Sequence, residues 1–90
     1  MKIGIRAEDK NRWERRVPLV PEDMKLLADR GISILVQSSL QRAFRDEEFR
    51  QSGIPVQEDL TDCNILFGLK EIPPEKLEPG KIYFVFAHVI

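Results

Sequence analysis

Lys70 and His88 each stand immediately past a short apolar run, Asn64-Ile65-Leu66-Phe67-Gly68-Leu69 before the first and Ile82-Tyr83-Phe84-Val85-Phe86-Ala87 before the second. Runs of this length and composition read as buried strands. In an open parallel sheet, ligands bind outside the carboxyl ends of the strands. An amine and an imidazole delivered to that rim together make a candidate proton-transfer pair. Imidazole suits general acid and base work at neutral pH without much tuning. Lysine is almost wholly protonated there, so use of its free amine requires desolvation or a like charge nearby. A half-buried pocket beside Arg16 could supply part of that. The plainer alternatives are a solvated Lys70 paired with Glu71 or Glu75, and a structural role for His88, the sole histidine.

Arg15 and Arg16 lie in a charge-rich stretch with Glu8, Asp9, Lys10, Arg12 and Glu14. A guanidinium fork matches a carboxylate by two parallel hydrogen bonds, so this pair is a candidate anchor for a carboxylate substrate. Most arginines in such loops merely solvate them. Trp13 in the same stretch reads as a packing anchor, though an indole at a cleft rim can also meet a ligand. The chain has no Gly-x-Gly-x-x-Gly turn, no Walker loop, no serine elbow and no metal-ligand spacing, so neither a dinucleotide site nor a metal site is expected in it.

The elements that must position these groups follow from local pattern. Residues 3–6 form a first strand, and residues 8–16 a charged loop without helical period. Pro21 suits the first position of a helix, Glu22 and Asp23 complement its positive end, Met24, Leu27 and Ala28 supply an apolar stripe, and Gly31 closes it. Val20 offers no side-chain acceptor as a cap. Residues 32–37 form a second strand, apolar enough to be covered on both faces. A short helix over about residues 46–52 is stopped by Gly53, and a brief extended piece lies around Val56. Residues 60–62 turn into the third strand, and Pro73, Pro74, Pro79 and Gly80 leave room for at most one helical turn before the fourth, residues 82–87.

Strands alternating with helices predict an α/β fold, a Rossmann-like (flavodoxin-like) and mainly parallel sheet of about four strands. The segments after all four strands then emerge on one edge. The chain stops two residues after His88 with no helix to cover the last strand, so it reads as a single partial domain, residues 1–90, cut short from a longer enzyme.

At 90 residues, of which 42% are hydrophobic and 32% charged, the chain can bury one modest core. Fourteen basic against 15 acidic residues give a net charge of -1, which offers nucleic acid or an anionic membrane no attraction and makes a small-molecule substrate the expected partner. Cys63 is alone and cannot form an internal disulfide. With no signal peptide and no apolar run near the ~20 residues of a membrane span, the chain reads as cytoplasmic. An uncovered last strand could promote pairing between copies into a homo-oligomer.

These residues carry a resemblance. Arg6-Ala7-Glu8-Asp9-Lys10, Trp13-Glu14-Arg15-Arg16-Val17-Pro18-Leu19-Val20-Pro21, Val36-Gln37-Ser38-Ser39 with Arg42-Ala43-Phe44, Gly68-Leu69-Lys70-Glu71-Ile72-Pro73 and Phe86-Ala87-His88 occur in that order over nearly the whole chain. In them the chain resembles the N-terminal domain of the alanine dehydrogenase, transhydrogenase and saccharopine dehydrogenase group, most of all lysine-ketoglutarate reductase and the saccharopine dehydrogenases. The resemblance implies a two-domain enzyme in which this domain supplies substrate-binding and acid/base groups, while NAD or NADP is bound by a domain absent from this chain. It implies that Arg16 binds a substrate carboxylate, that Lys70 and His88 carry proton transfers, and that Glu71 tunes the lysine. The implied reaction joins lysine to 2-oxoglutarate by reductive amination, or reverses it. A fragment of this kind is expected to be inactive alone. Alanine dehydrogenase and a stand-alone amino-acid or keto-acid binding module are the alternatives.

Overall fold

In the computed structural model, which describes residues 1–8, 13–70 and 72–85, the apolar runs become five strands and two helices. The order is β1 (Lys2–Ile5), α1 (Pro21–Asp29), β2 (Ser33–Gln37), α2 (Asp46–Gln51), β3 (Val56–Gln57), β4 (Ile65–Phe67), a 3-10 turn (Pro74–Lys76) and β5 (Ile82–Phe84). All strand pairs are parallel and the sheet order is β3-β2-β1-β4-β5. This is the Rossmann order, whose direction reverses between β1 and β4; in the flavodoxin order the reversal falls between β1 and β3.

Register divides the side chains between two faces, because successive residues of a strand point to opposite sides. Ile3 lies opposite Ile34 and Ile65, and Ile5 opposite Val36 and Phe67. Both helices cover this face, where Ile5, Met24, Ile34, Val36, Phe49 and Ile54 form the main core. On the reverse face Leu35, Leu60, Cys63 and Leu66 cluster with Tyr83. Gly4 is required there by close approach, since a Cβ would stand 2.7 Å from Cys63 Sγ.

Helix α1 begins and ends where its residues dictate. Pro21 takes the first position, Val20 contributes no side-chain cap, and the main-chain oxygen of Val20 accepts from the Asp23 and Met24 N–H groups at 3.1 Å. Gly31 at φ +89° supplies the left-handed turn that stops it. In α2 the Glu48 carboxylate accepts the Arg45 N–H at 2.7 Å, and Phe49 is the residue that docks it.

The sheet has one strand more than expected. Val56 and Gln57 pair with Val36 and Gln37, reinforced by Val36 N–H donating to Pro55 O at 3.0 Å and Ser38 N–H to Gln57 O at 2.8 Å. The added strand is the extended piece around Val56, whose two residues are too few to display a strand's alternation. Among the described residues, no helix is long and apolar enough to cross a membrane.

Candidate functional site

The β1–β4 reversal is where a parallel sheet opens a crevice, and the chain fills its floor with a carboxylate. Arg6 N–H makes the last bond between the two strands, to Phe67 O at 3.0 Å. Past it the ladder between β1 and β4 ends, and Glu8, only 7% exposed, reaches with its side chain to the residues that follow β4. Its Oε2 accepts the Leu69 N–H and its Oε1 the Lys70 N–H, both at 2.9 Å. Buried backbone donors that leave a sheet need partners, and Glu8 supplies both. Gly68 permits the approach, since a Cβ there would stand 3.1 Å from the Arg6 side chain and 3.3 Å from Glu8 Oε2.

A second carboxylate gathers the cations. Glu14 Oε2 accepts from Arg16 Nε at 2.9 Å and from the Arg16 main-chain N–H at 3.2 Å, while its Oε1 accepts from Arg16 Nη2 at 2.7 Å. Lys70 Nζ stands 3.5 Å from the same Oε1. The Glu14 side chain is 5% exposed, Lys70 33% and Arg16 69%. Glu14 is thus covered by its cations, and Arg16 keeps donors turned to solvent, where a substrate carboxylate can meet them. Hydrogen bonding from Arg16, with a lesser contribution from Lys70, outweighs burial and holds the Glu14 carboxyl at about 2 against an ordinary 4.5. Glu14 raises Arg16 in turn.

That depression makes a pH prediction. A carboxyl whose pKa falls on folding contributes stability that is complete above its unfolded pKa and is lost as pH falls through the folded one. Glu14 therefore stabilises the fold above about 4.5, and the contribution disappears between there and about 2. In denaturant titrations at a series of pH values, Glu14→Gln is expected to flatten the acid limb of stability against pH relative to wild type. Parallel limbs would contradict the assignment.

The loop after β2 frames this cluster. Gln41 Nε2 donates to Glu8 O at 2.9 Å and to Glu14 O at 2.8 Å, and Ala43 N–H donates to Arg15 O at 2.8 Å. Arg42 is buried: its Nη2 donates to Gln37 O, its Nη1 lies 3.6 Å from Asp46 Oδ1, and its guanidinium carbon stands 5.1 Å from the Phe49 ring centroid. Burial pushes the Arg42 pKa down, against the opposing charges of Asp46 and Glu8.

The structure therefore unites Lys70 and Arg16 through Glu14. Arg15 is exposed, and its main-chain oxygen serves the frame. Glu71 and His88 lie outside the described residues. The strand preceding His88 is β5, the parallel neighbour of β4. Trp13 is not the packing anchor its type suggested, being 74% exposed. Sequence reasoning missed Glu8, Glu14, Gln41 and Arg42 as parts of the site. Only Glu14 had a local signal, its two-residue spacing from Arg16, which puts both side chains on one side of an extended segment.

A dinucleotide does not fit this switch point. A Rossmann pyrophosphate lies on a glycine-rich turn after the first strand, where this chain has Arg6-Ala7-Glu8, and the Glu8 carboxylate already occupies the nearby Leu69 and Lys70 N–H groups. Among the described residues no group of acidic, histidine or cysteine side chains could hold a metal ion.

Known proteins are similar in sequence to this chain over nearly its whole length. Alpha-aminoadipic semialdehyde synthase, mitochondrial, of Bos taurus is 41% identical over 88 residues, which span 98% of this chain and 10% of that protein. The Arabidopsis thaliana alpha-aminoadipic semialdehyde synthase is 39% identical over 92 residues, 96% of this chain and 9% of that protein. Saccharopine dehydrogenase (NAD+, L-lysine-forming) of Schizosaccharomyces pombe is 40% identical over 93 residues, 96% of this chain and 25% of that protein. The chain thus spans between about a tenth and a quarter of the relatives it matches. Residues 4–90 also match the family pattern described as alanine dehydrogenase/PNT, N-terminal domain, and with that coverage the chain belongs to this family.

Proposed function

We propose that residues 1–90 are the N-terminal domain of a longer nicotinamide-dependent amino-acid dehydrogenase that forms or cleaves saccharopine. In this reading Arg16 holds a substrate carboxylate and Lys70, with His88, moves protons. The observation that carries it is the meeting of the Arg16 guanidinium and the Lys70 amine on one buried carboxylate at the β1–β4 reversal. Joining an amine to a keto group moves protons between nitrogen and oxygen as water leaves, and cleavage moves them back. A lysine at the sheet rim is a group of the right type for that transfer. The substrate class comes from the relatives, one of which is named for saccharopine and for forming L-lysine. NAD or NADP belongs to residues beyond these.

The test is an assay of the full-length polypeptide. Nicotinamide absorbance is followed with L-lysine, 2-oxoglutarate and reduced cofactor, and in reverse with saccharopine and oxidised cofactor. Turnover in either direction is expected. Turnover with pyruvate and ammonia alone would make the protein an alanine dehydrogenase, and ligand binding without any turnover would make it a binding module.

A further inference from the structure

We infer that Glu8 is the positioning residue of this site: its buried carboxylate clamps the Leu69 and Lys70 peptide N–H groups and so sets where the Lys70 amine stands. The inference rests on the reading of Lys70 as the proton carrier. β4 ends at Phe67, and among the described residues the last ladder bond beyond it is from Gly68 N–H to Phe84 O at 3.0 Å. Residues 69 and 70 have left the sheet, and it is Glu8 that takes their N–H groups, one on each oxygen at 2.9 Å. One hydrogen bond leaves a hinge, whereas two on successive amides fix the orientation of the segment as well as its distance. Lys70 then reaches Glu14 from a held backbone, its Nζ 3.5 Å from Oε1.

Glu8 is itself held. Its main-chain oxygen accepts from Gln41 Nε2, which also donates to Glu14 O. The Glu8 main chain is thereby tied to the loop carrying Glu14 and Arg16, and its side chain to the segment carrying Lys70. This division separates two effects. Loss of the Glu8 carboxylate frees Lys70, while the Glu14–Arg16 pair keeps its own hydrogen bonds and its link to Gln41. Proton transfer should suffer and carboxylate binding should not. A displacement of about 1 Å at a reacting group costs up to ~10²-fold in rate.

The test compares wild type, Glu8→Gln and Glu8→Ala in the full-length polypeptide, by steady-state kinetics and by hydrogen exchange of the peptide spanning residues 66–72. Glu8→Ala is expected to lose protection at two amides of that peptide and about 10- to 100-fold in kcat, with KM for the 2-oxo acid nearly unchanged. Glu8→Gln retains one acceptor oxygen and should fall between. It also keeps the test decisive if the alanine variant does not fold. Full protection in both variants, a kcat equal to wild type, or a loss carried by KM would overturn the clamp. Exchange rising equally across the whole sheet would reduce Glu8 to a structural residue and overturn it too. An inactive wild type would instead overturn the functional reading, leaving exchange of residues 66–72 to decide whether the clamp exists.

Discussion

Lys70→Met is expected to lower kcat of the full-length polypeptide by ~10²- to 10⁴-fold, the usual contribution of a positioned acid or base, with KM for the 2-oxo acid changed far less. Methionine retains most of the lysine stem and leaves the Lys70 main-chain N–H on Glu8. The half-buried stem, 33% exposed, keeps its packing, so the variant removes the ammonium and little else. Glu14 loses its 3.5 Å contact with Nζ but keeps both side-chain hydrogen bonds from Arg16. The carboxylate anchor therefore survives a change that deletes the proton carrier. Steady-state kinetics of wild type and variant check this: kcat should fall while KM for the 2-oxo acid stays near its wild-type value. A kcat near wild type, or a KM that carries the loss, would assign the proton transfer elsewhere.

Phe49→Ala is expected to cost about 3–5 kcal/mol of stability, the range for truncating a buried aromatic side chain. Phe49 is fully buried and meets Phe44 edge to face, ring centroids 6.4 Å apart at 72°. Helix α2 spans only Asp46–Gln51, far too short to persist without tertiary packing, and Phe49 supplies that packing. The same ring faces the Arg42 guanidinium at 5.1 Å, and Arg42 adjoins Gln41, which spans Glu8 and Glu14. The core under α2 and the frame of the site are thus one unit. Denaturant titration of wild type and variant checks the cost, and a loss below about 1 kcal/mol would mean that the site of Phe49 collapses without strain.

How far the sequence reveals this fold depends on whether a signal is local. Pro21, the acidic residues after it and Gly31 mark α1 because capping and dipole effects act within a turn of the residues that cause them. The apolar run before Lys70 reads as a strand through residue 69, yet β4 ends at Phe67, because Glu8 draws the next amides out of the ladder. Nothing near residues 69 and 70 announces a partner so distant in the chain. Lys70 and Arg16 were legible as chemistry since each follows or enters a recognisable pattern. Glu8 and Gln41 were not, since their roles exist only once the sheet order brings three loops together. Trp13 fails for the converse reason: an aromatic residue is usually buried, but its loop lies on the rim, and it remains exposed.

In the proposed function, Arg16 and Lys70, joined through Glu14 at the β1–β4 reversal, receive the substrate carboxylate. A structure of the full-length polypeptide with 2-oxoglutarate bound tests it most directly. A carboxylate within hydrogen-bond distance of the Arg16 guanidinium, with the keto carbon beside Lys70 Nζ, is expected. A ligand seated instead on the other face of the sheet, in the hollow of about 330 Å³ lined by Arg6, Thr61, Lys76 and Tyr83, with Arg16 and Lys70 untouched, would contradict it.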